Sequence, residues 1–572
     1  MAGDPISPNL EGTPVVLAAE ESLRLDANLV DYALVAAYFA VVLLIGFAAR
    51  SRVSDSLDFF LSGRSLPAWV TGLAFISANL GAVEIIGMSA NGAQFGMATF
   101  HYFWIGAVPA MLFLGVVMMP FYYGSKVRSV PEFMRRRFGT GAHLVNALSF
   151  ALAQVLIAGI NLYLLATVVN ALLGWPQWIS LIVAAAVVLS YITLGGLSAA
   201  IYNEVLQFFV IVAALLPLTL IGLNRVGGVG GLIDSIRDGG NENDLSSWPA
   251  SDLTSIDNPV LSVIGIVFGL GFVLSFGYWT TNFVEVQRAM ATKSMSAARS
   301  TPIIGSFPKM FIPFIVIVPG MIAAVLVNEV QELKAGGDPG VTYNDSILLL
   351  IRDVLPNGLL GVAIAGLLAS FMAGMAANIS AFNTVFSYDL WQQYVKKDRP
   401  DEYYLKVGRL ATVGATVTAI FTALIAAGFD NLMDYLQTLF GFFNAPLFAT
   451  FILGMFWKRM TPTAGWAGLV SGTLAAVLVW SLSEVGVIGL EGQGASFVAA
   501  GAAFVVDIAV SVAVSMVTAP KPVSELAGLV YSETPKEVRT DPDAHELPWY
   551  QSPTKLAGIS LVLVIALNLI FR

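Results

Sequence analysis

Ser77-Ala78-Asn79-Leu80-Gly81-Ala82-Val83-Glu84 sets a carboxamide, a glycine and a carboxylate in the middle of an apolar run covering residues 68–92. A run of that length crosses a hydrocarbon core about 30 Å thick, and does so as a helix because a helix satisfies its own backbone groups. An ionisable group at its centre costs about 2.5–3.5 kcal/mol on insertion scales, which marks Glu84 as a functional residue by default. Gly81 weakens the helix at the same point. The stretch therefore predicts a broken helix, with Glu84 lining a cavity rather than serving as a buried acid paired only for structure.

Outward from this stretch the pattern repeats. Apolar runs cover residues 30–50, 68–92, 99–121, 143–173, 177–197, 201–224, 258–287, 300–328, 355–390, 405–428, 431–457, 463–485, 494–518 and 555–571. The fold class this predicts is an all-α polytopic membrane protein of about fourteen transmembrane helices. Composition agrees: of 572 residues 57% are hydrophobic and 12% charged, and mean hydropathy is +0.77, outside the range of soluble domains. Cysteine is absent, which excludes disulfides and thiolate chemistry. Residues 1–29 are polar and acidic and do not read as a cleavable signal peptide, so the first run acts as its own insertion signal. The net charge of -9 leaves no basic footprint for nucleic acid,. A phosphate-cradling GxxxxGK loop is missing too, so uphill work would draw on an ion gradient.

Lysine and arginine divide unevenly between the two sets of loops. One set holds twenty-two of the 29, including Arg50, Arg52, Arg64, Lys126, Arg128, Arg135, Arg136 and Arg137; the other holds six, and Lys309 lies inside a run. The positive-inside rule then predicts both termini outside the cytoplasm. The long outward loops 225–257 and 329–354 read as exposed caps, and the inward segment 519–554 is too short for a catalytic or signalling domain.

A second flaw falls at Gly269, Gly271 and Ser275-Phe276-Gly277-Tyr278-Trp279. It lies five runs after the first, an odd offset that reverses helix direction. Runs 2–6 and 7–11 then form inverted repeats with discontinuous first helices, or else these glycines merely pack helices. Lys309 lies low in the eighth run, either facing the interior or snorkelling to the surface. Gln437, Asn378, Asn383 and Asn444 suit interhelical glue as well as a site. Asp507 has no account at this level, and the three histidines (His101, His143, His545) are too scattered for a metal site,.

Phe60-Leu61-Ser62-Gly63-Arg64-Ser65-Leu66-Pro67, Ser77-Ala78-Asn79, Pro131-Glu132-Phe133, Gly195-Gly196-Leu197-Ser198-Ala199 and Gln287-Arg288 followed by Ala291-Thr292-Lys293-Ser294 resemble the solute:sodium symporter family. The likeness runs from about residue 30 to 460 and is greatest to the sodium/glucose and sodium/galactose branch. It implies a LeuT-like core of two inverted five-helix repeats working by alternating access. The implied organisation is an outer tail 1–29, an accessory helix 30–50, repeats 68–224 and 258–457 joined by the loop 225–257, two accessory helices 463–518, a linker 519–554 and a last helix 555–572.

Carried over position by position, the resemblance puts substrate contacts at Glu84, Phe103, Gly106, Ser275, Lys309 and Gln437. Phe103 stands where the family has a carboxylate, and Glu84 where it has a neutral glutamine. Gates fall at Tyr278 and Trp279 on the inner side and at Met88, Tyr102 and Met433 on the outer. The sodium position falls on the carbonyls of Ser77, Leu80 and Ser370 and on Ala373 and Gly374, where the family has two hydroxyls. Because a hard cation wants about five or six oxygens, that site is expected to be degraded, with Glu84 compensating. Glu204 falls on the inward cation path, or is a first-turn helix acid after Asn203. The expectation is a cell-membrane carrier, not an enzyme, importing a hexose or related polyol with sodium as coupling ion. No organic cofactor and no obligate protein partner are expected beyond the solute and the bilayer. A proton-coupled or sodium-independent carrier, or one for myo-inositol, a nucleoside, an amino acid or a monocarboxylate, is the alternative.

Overall fold

The computed structural model describes residues 23–50, 60, 62–125, 127, 129–248, 252–254, 259–429, 431–490, 493–542 and 547–572. Most of the expected outer tail, together with Arg52, Leu61, Lys126, Arg128 and His545, lies outside them. Among the described residues the chain is helical, with one isolated parallel bridge, Leu66 to Thr292. Among the described residues, twelve helices are long and apolar enough to cross a membrane. The pair Ala68–Asn79 and Val83–Phe100, bent by 62°, adds a thirteenth if counted as one span. Expected runs 177–197 and 201–224 lie in a single helix, Gln177–Arg225, of 49 residues. Its shorter apolar opening, Gln177–Ser190, rises only about 21 Å, and a count of fourteen depends on that piece.

The helix Leu359–Thr384 runs through the centre and is buried along almost its whole length. Its small residues, Ala363, Gly366, Ala369, Ala373, Gly374 and Ala377, let five helices approach closely: Leu29–Arg50, Ala68–Asn79, Thr140–Leu173, Gln177–Arg225 and Asp401–Ala426,. Asp31 on the first helix caps its start, accepting from the backbone N–H of Gly358 at 2.7 Å and of Gly361 at 2.6 Å. The motif loops explain themselves as a junction. Gln287 Nε2 donates to the Phe60 carbonyl at 2.8 Å, and Leu66 exchanges backbone bonds with Ala291 and Lys293.

One loop expectation needs correction. Residues 329–354 are not simply an exposed cap, because Ser346–Val354 buries Ile347, Leu348, Leu349, Leu350 and Ile351. The linker 519–554 is docked: Leu526 and Val530 are buried, and Tyr531 N–H donates to the Met455 carbonyl at 2.8 Å. Asp541 accepts from Ser296 at 2.7 Å and from Arg299 at 3.2 Å, and Arg299 also donates to Thr554. Ser306 and Ser560 meet at 2.7 Å. The helix Met295–Phe311 is thus clasped by the end of the chain. Asp507 gains an account: it accepts from Thr450 at 2.7 Å and Ser511 at 3.1 Å, tying Leu432–Phe456 to Gln493–Val517.

Candidate functional site

The helix Ala68–Asn79 ends at Leu80, whose φ of −75° and ψ of 48° leave the helical region. The chain resumes helically after Gly81, in a wide π turn over Val83–Gly87. Ala82 N–H, orphaned by the break, donates to Asn161 Oδ1 at 2.9 Å, and Asn161 Nδ2 donates to the Ile157 carbonyl at 3.1 Å. A carboxamide from Thr140–Leu173 therefore caps the second half-helix. Asn161 was not among the expected residues. A lone amide in an apolar run carries no sign of which distant N–H it serves.

The break opens onto a cavity of about 90 Å³ lined by Asn79, Glu84, Ser275, Lys309 and Gln437, room for several water molecules. Met88, Tyr102 and Met433 line it as well, as do Tyr278 and Trp279. Lys309 does not snorkel: it is 1% exposed and donates to Glu84 Oε1 at 2.5 Å and to Asn79 Oδ1. Its ammonium lies 4.6 Å from the centre of the Phe103 ring and 5.4 Å from that of Trp279. Phe103 is thus set back behind Lys309, fully buried, where its π face supports the cation,. Gly106 leaves the space that the Ser275 hydroxyl fills.

The second expected break is displaced. The helix stays wound in π form over Gly265–Ser275 and continues as Phe276–Thr281, passing through Gly277 intact. Gly277 serves packing, since an added Cβ would lie 3.1 Å from the Asn444 carbonyl. The chain turns at Asn282, with φ −72° and ψ 118°, and the Asn282 side chain caps Val284 N–H at 3.0 Å. Just beyond, Tyr278 O–H donates to Glu285 Oε1 at 2.8 Å while accepting from Asn79 Nδ2 at 3.1 Å.

Arg288 grips Glu204 with two hydrogen bonds, one from Nε at 3.1 Å and one from Nη2 at 2.5 Å, both residues fully buried. The first-turn reading of Glu204 fails, because its helix begins at Gln177. Glu204 is committed to Arg288.

At the expected sodium position the donors are few. The Leu80 carbonyl already accepts from the Ser370 hydroxyl. Ala373 and Gly374 offer no side-chain oxygen, and Gly374 is packed so tightly that an added Cβ would sit 2.5 Å from Asn161 Oδ1 and 3.0 Å from Gly81 Cα. Protein hydrogen bonds occupy the seam where oxygens for a cation were expected, and these residues do not fit the six-oxygen shell of a hard cation.

Comparisons with known proteins agree with this architecture. The chain is 28% identical over 458 residues to the sodium/glucose cotransporter of Vibrio parahaemolyticus, covering 78% of this chain and 84% of that one. It is 30% identical over 480 residues to sodium/glucose cotransporter 4 of Mus musculus, covering 79% and 69%. The solved structure of a Na+-coupled sialic acid symporter, substrate-bound and outward-open, superposes with a TM-score of 0.72 at 20% identity over 86% of this chain and 98% of that one, a likeness of fold. The model of the sodium:solute symporter family matches residues 59–472, a stretch that holds the broken helix, the cavity and the Lys309–Glu84 and Arg288–Glu204 pairs, and the chain belongs to that family.

Proposed function

We propose that this chain is a secondary active transporter that imports a small polar solute, most specifically a hexose, by sodium-coupled alternating access. The observation that carries the reading is the meeting of Glu84, Lys309, Asn79 and Gln437 in one cavity at a helix break. A carboxylate accepts and an ammonium donates, the two halves of what a polyol's hydroxyls require. Aromatic faces at Tyr278 and Trp279 suit the apolar face of a sugar ring, and two relatives are named for glucose. Residues 68–224 and 258–457 act as inverted repeats, Met88, Tyr102 and Met433 as the outer gate, Tyr278 and Trp279 as the inner one, and both termini face away from the cytoplasm.

Protons as the driving ion are the second reading, favoured by the poor donor set around Ala373 and Gly374. Uptake of a panel of labelled sugars into proteoliposomes, with sodium or choline outside at fixed pH, separates the readings. Sodium-stimulated hexose uptake is expected. Accumulation undiminished in choline removes sodium coupling, and silence across all sugars removes the hexose. Glu84→Gln is expected to increase the sodium stimulation, since it restores the neutral group usual at that position; an unchanged response refutes the idea that Glu84 compensates.

A further inference from the structure

Glu285 is a fully buried carboxylate that the transport reading does not use. Its Oε1 accepts the Tyr278 hydroxyl at 2.8 Å, and among the described residues its Oε2 has no hydrogen-bond partner. A buried oxygen left so carries the full cost of its lost hydration, more when charged. Glu285 also ends an unbroken run of donors. Lys309 donates to Asn79, Asn79 to Tyr278 and Tyr278 to Glu285, so the cavity and this carboxylate share one polarised chain,.

Charge bookkeeping around it leaves an excess. Three carboxylates, Glu84 at the cavity wall and the fully buried Glu204 and Glu285, face two buried cations, Lys309 and Arg288. Lys309 is paired with Glu84, and Arg288 is spent on Glu204 and on the Val284 carbonyl at 2.6 Å. Glu285 is the carboxylate left over, and an unpaired buried charge is the costliest arrangement a nonpolar interior can hold. Binding one proton removes it.

The neighbouring elements offer no other remedy. Gln177–Arg225 touches Phe283–Met290 through Glu204 and Thr140–Leu173 touches it through Phe150, and the helices packed on it most are Ala68–Asn79, Met119–Ser125, Phe276–Thr281, Met295–Phe311 and Leu359–Thr384. Ala68–Asn79 and Leu359–Thr384 carry no titratable residue. Tyr122 donates to the Thr280 carbonyl and Tyr123 to that of Thr292, while Arg299 is engaged with Asp541 and Thr554. Tyr278, Lys309, Arg288 and Glu204 are the titratable groups that face Glu285.

We propose that Glu285 is a proton-binding site coupled to the inner gate. A proton delivered by cytoplasmic water adds to the Glu285 carboxylate to give the neutral acid. Its acceptor strength toward Tyr278 falls, because a hydrogen bond to an ionised acceptor is roughly twice as strong as a neutral one. Tyr278 then leaves, and the gate opens. The proposal rests on reading Tyr278 as a gate but on no particular solute.

The test needs no substrate. The chain has no cysteine, so Ala78→Cys places a single thiol on the cavity wall. In inside-out vesicles, labelling by a membrane-impermeant maleimide reports inner opening, each rate divided by that of the same thiol in denatured protein at the same pH. Labelling at about pH 5.5 is expected to be about tenfold faster than at about pH 8.5, the effect of one pKa unit between closed and open forms. Glu285→Gln is expected to label fast at both values and to lack a protonated-carboxyl infrared band that the parent gains on acidification. Tyr278→Phe should also label fast at both while keeping that band. A parental pH ratio in either variant overturns the proposal, as does an infrared difference that Glu285→Gln leaves untouched. A chain that titrates in this way yet carries no sugar would refute the hexose reading alone.

Discussion

Two buried salt bridges of the same 2.5 Å length stand in opposite settings. Arg288 and Glu204 are both sealed from solvent, joined by two hydrogen bonds in a planar fork. Lys309 is as deeply buried, but its partner Glu84 is 13% exposed to the cavity, and the ammonium is shared with Asn79 and backed by two aromatic rings. The first pair has no room for a third party. The second leaves an acceptor and a donor open to the cavity, so identical distances serve a sealed clamp in one place and, under the proposed function, a binding site in the other.

Breaking the clamp is expected to have the largest effect. Arg288→Met strands Glu204 in a dry interior and should cost about 3–5 kcal/mol, read as collapse of monodisperse protein in detergent and a lowered melting temperature. A stable, well-behaved Arg288→Met would erase the contrast. Lys309→Gln should spare the fold and strike the solute instead, losing about 1.5–3 kcal/mol of charge-assisted hydrogen bonding, or roughly one to two orders of magnitude in apparent affinity, measured from initial uptake rates against concentration.

The seam at the helix break comes next. Gly374→Ala forces a Cβ to within 2.5 Å of Asn161 Oδ1 and should cost about 1–3 kcal/mol as overpacking. Asn161→Ala removes the cap on Ala82 at about 1 kcal/mol, yet makes room for the alanine at 374. The double variant should therefore melt higher than the sum of the two losses predicts; strict additivity would show that the two sites do not touch. Smallest is Phe103→Leu, which removes one ring from the Lys309 ammonium, with an expected loss of about 0.5–2 kcal/mol, seen as a few-fold weaker apparent affinity at unchanged yield.

What could be read from residue order, and what could not, follows from where the partners lie. The break at Gly81 was legible because glycine, asparagine and glutamate interrupt an apolar run within a few residues. Glu84 and Lys309 were legible because ions in lipid are rare. Their pairing was not, since it joins positions 225 residues apart. Gly277 misled: a glycine beside aromatic side chains marks close packing as well as it marks a break, and the helix answered by widening its turns. Asn161 is a neutral amide with no local signal. Glu285 reads as the ordinary polar residue of an amphipathic turn, and only the bend at Asn282 brings it back to Tyr278. Arg288 was noticed as part of a motif, but its partner Glu204 lies on a helix whose start the apolar pattern misplaced.

The grip of the chain's end on Met295–Phe311 has a further consequence. Asp541, Thr554 and Ser560 lie beyond residue 472, where the family match stops, yet they hold the helix that carries Lys309. Any swing of that helix has to drag this C-terminal tether along or cast it off, so contacts from outside the family-matched stretch bear on the stiffness of the machinery within it.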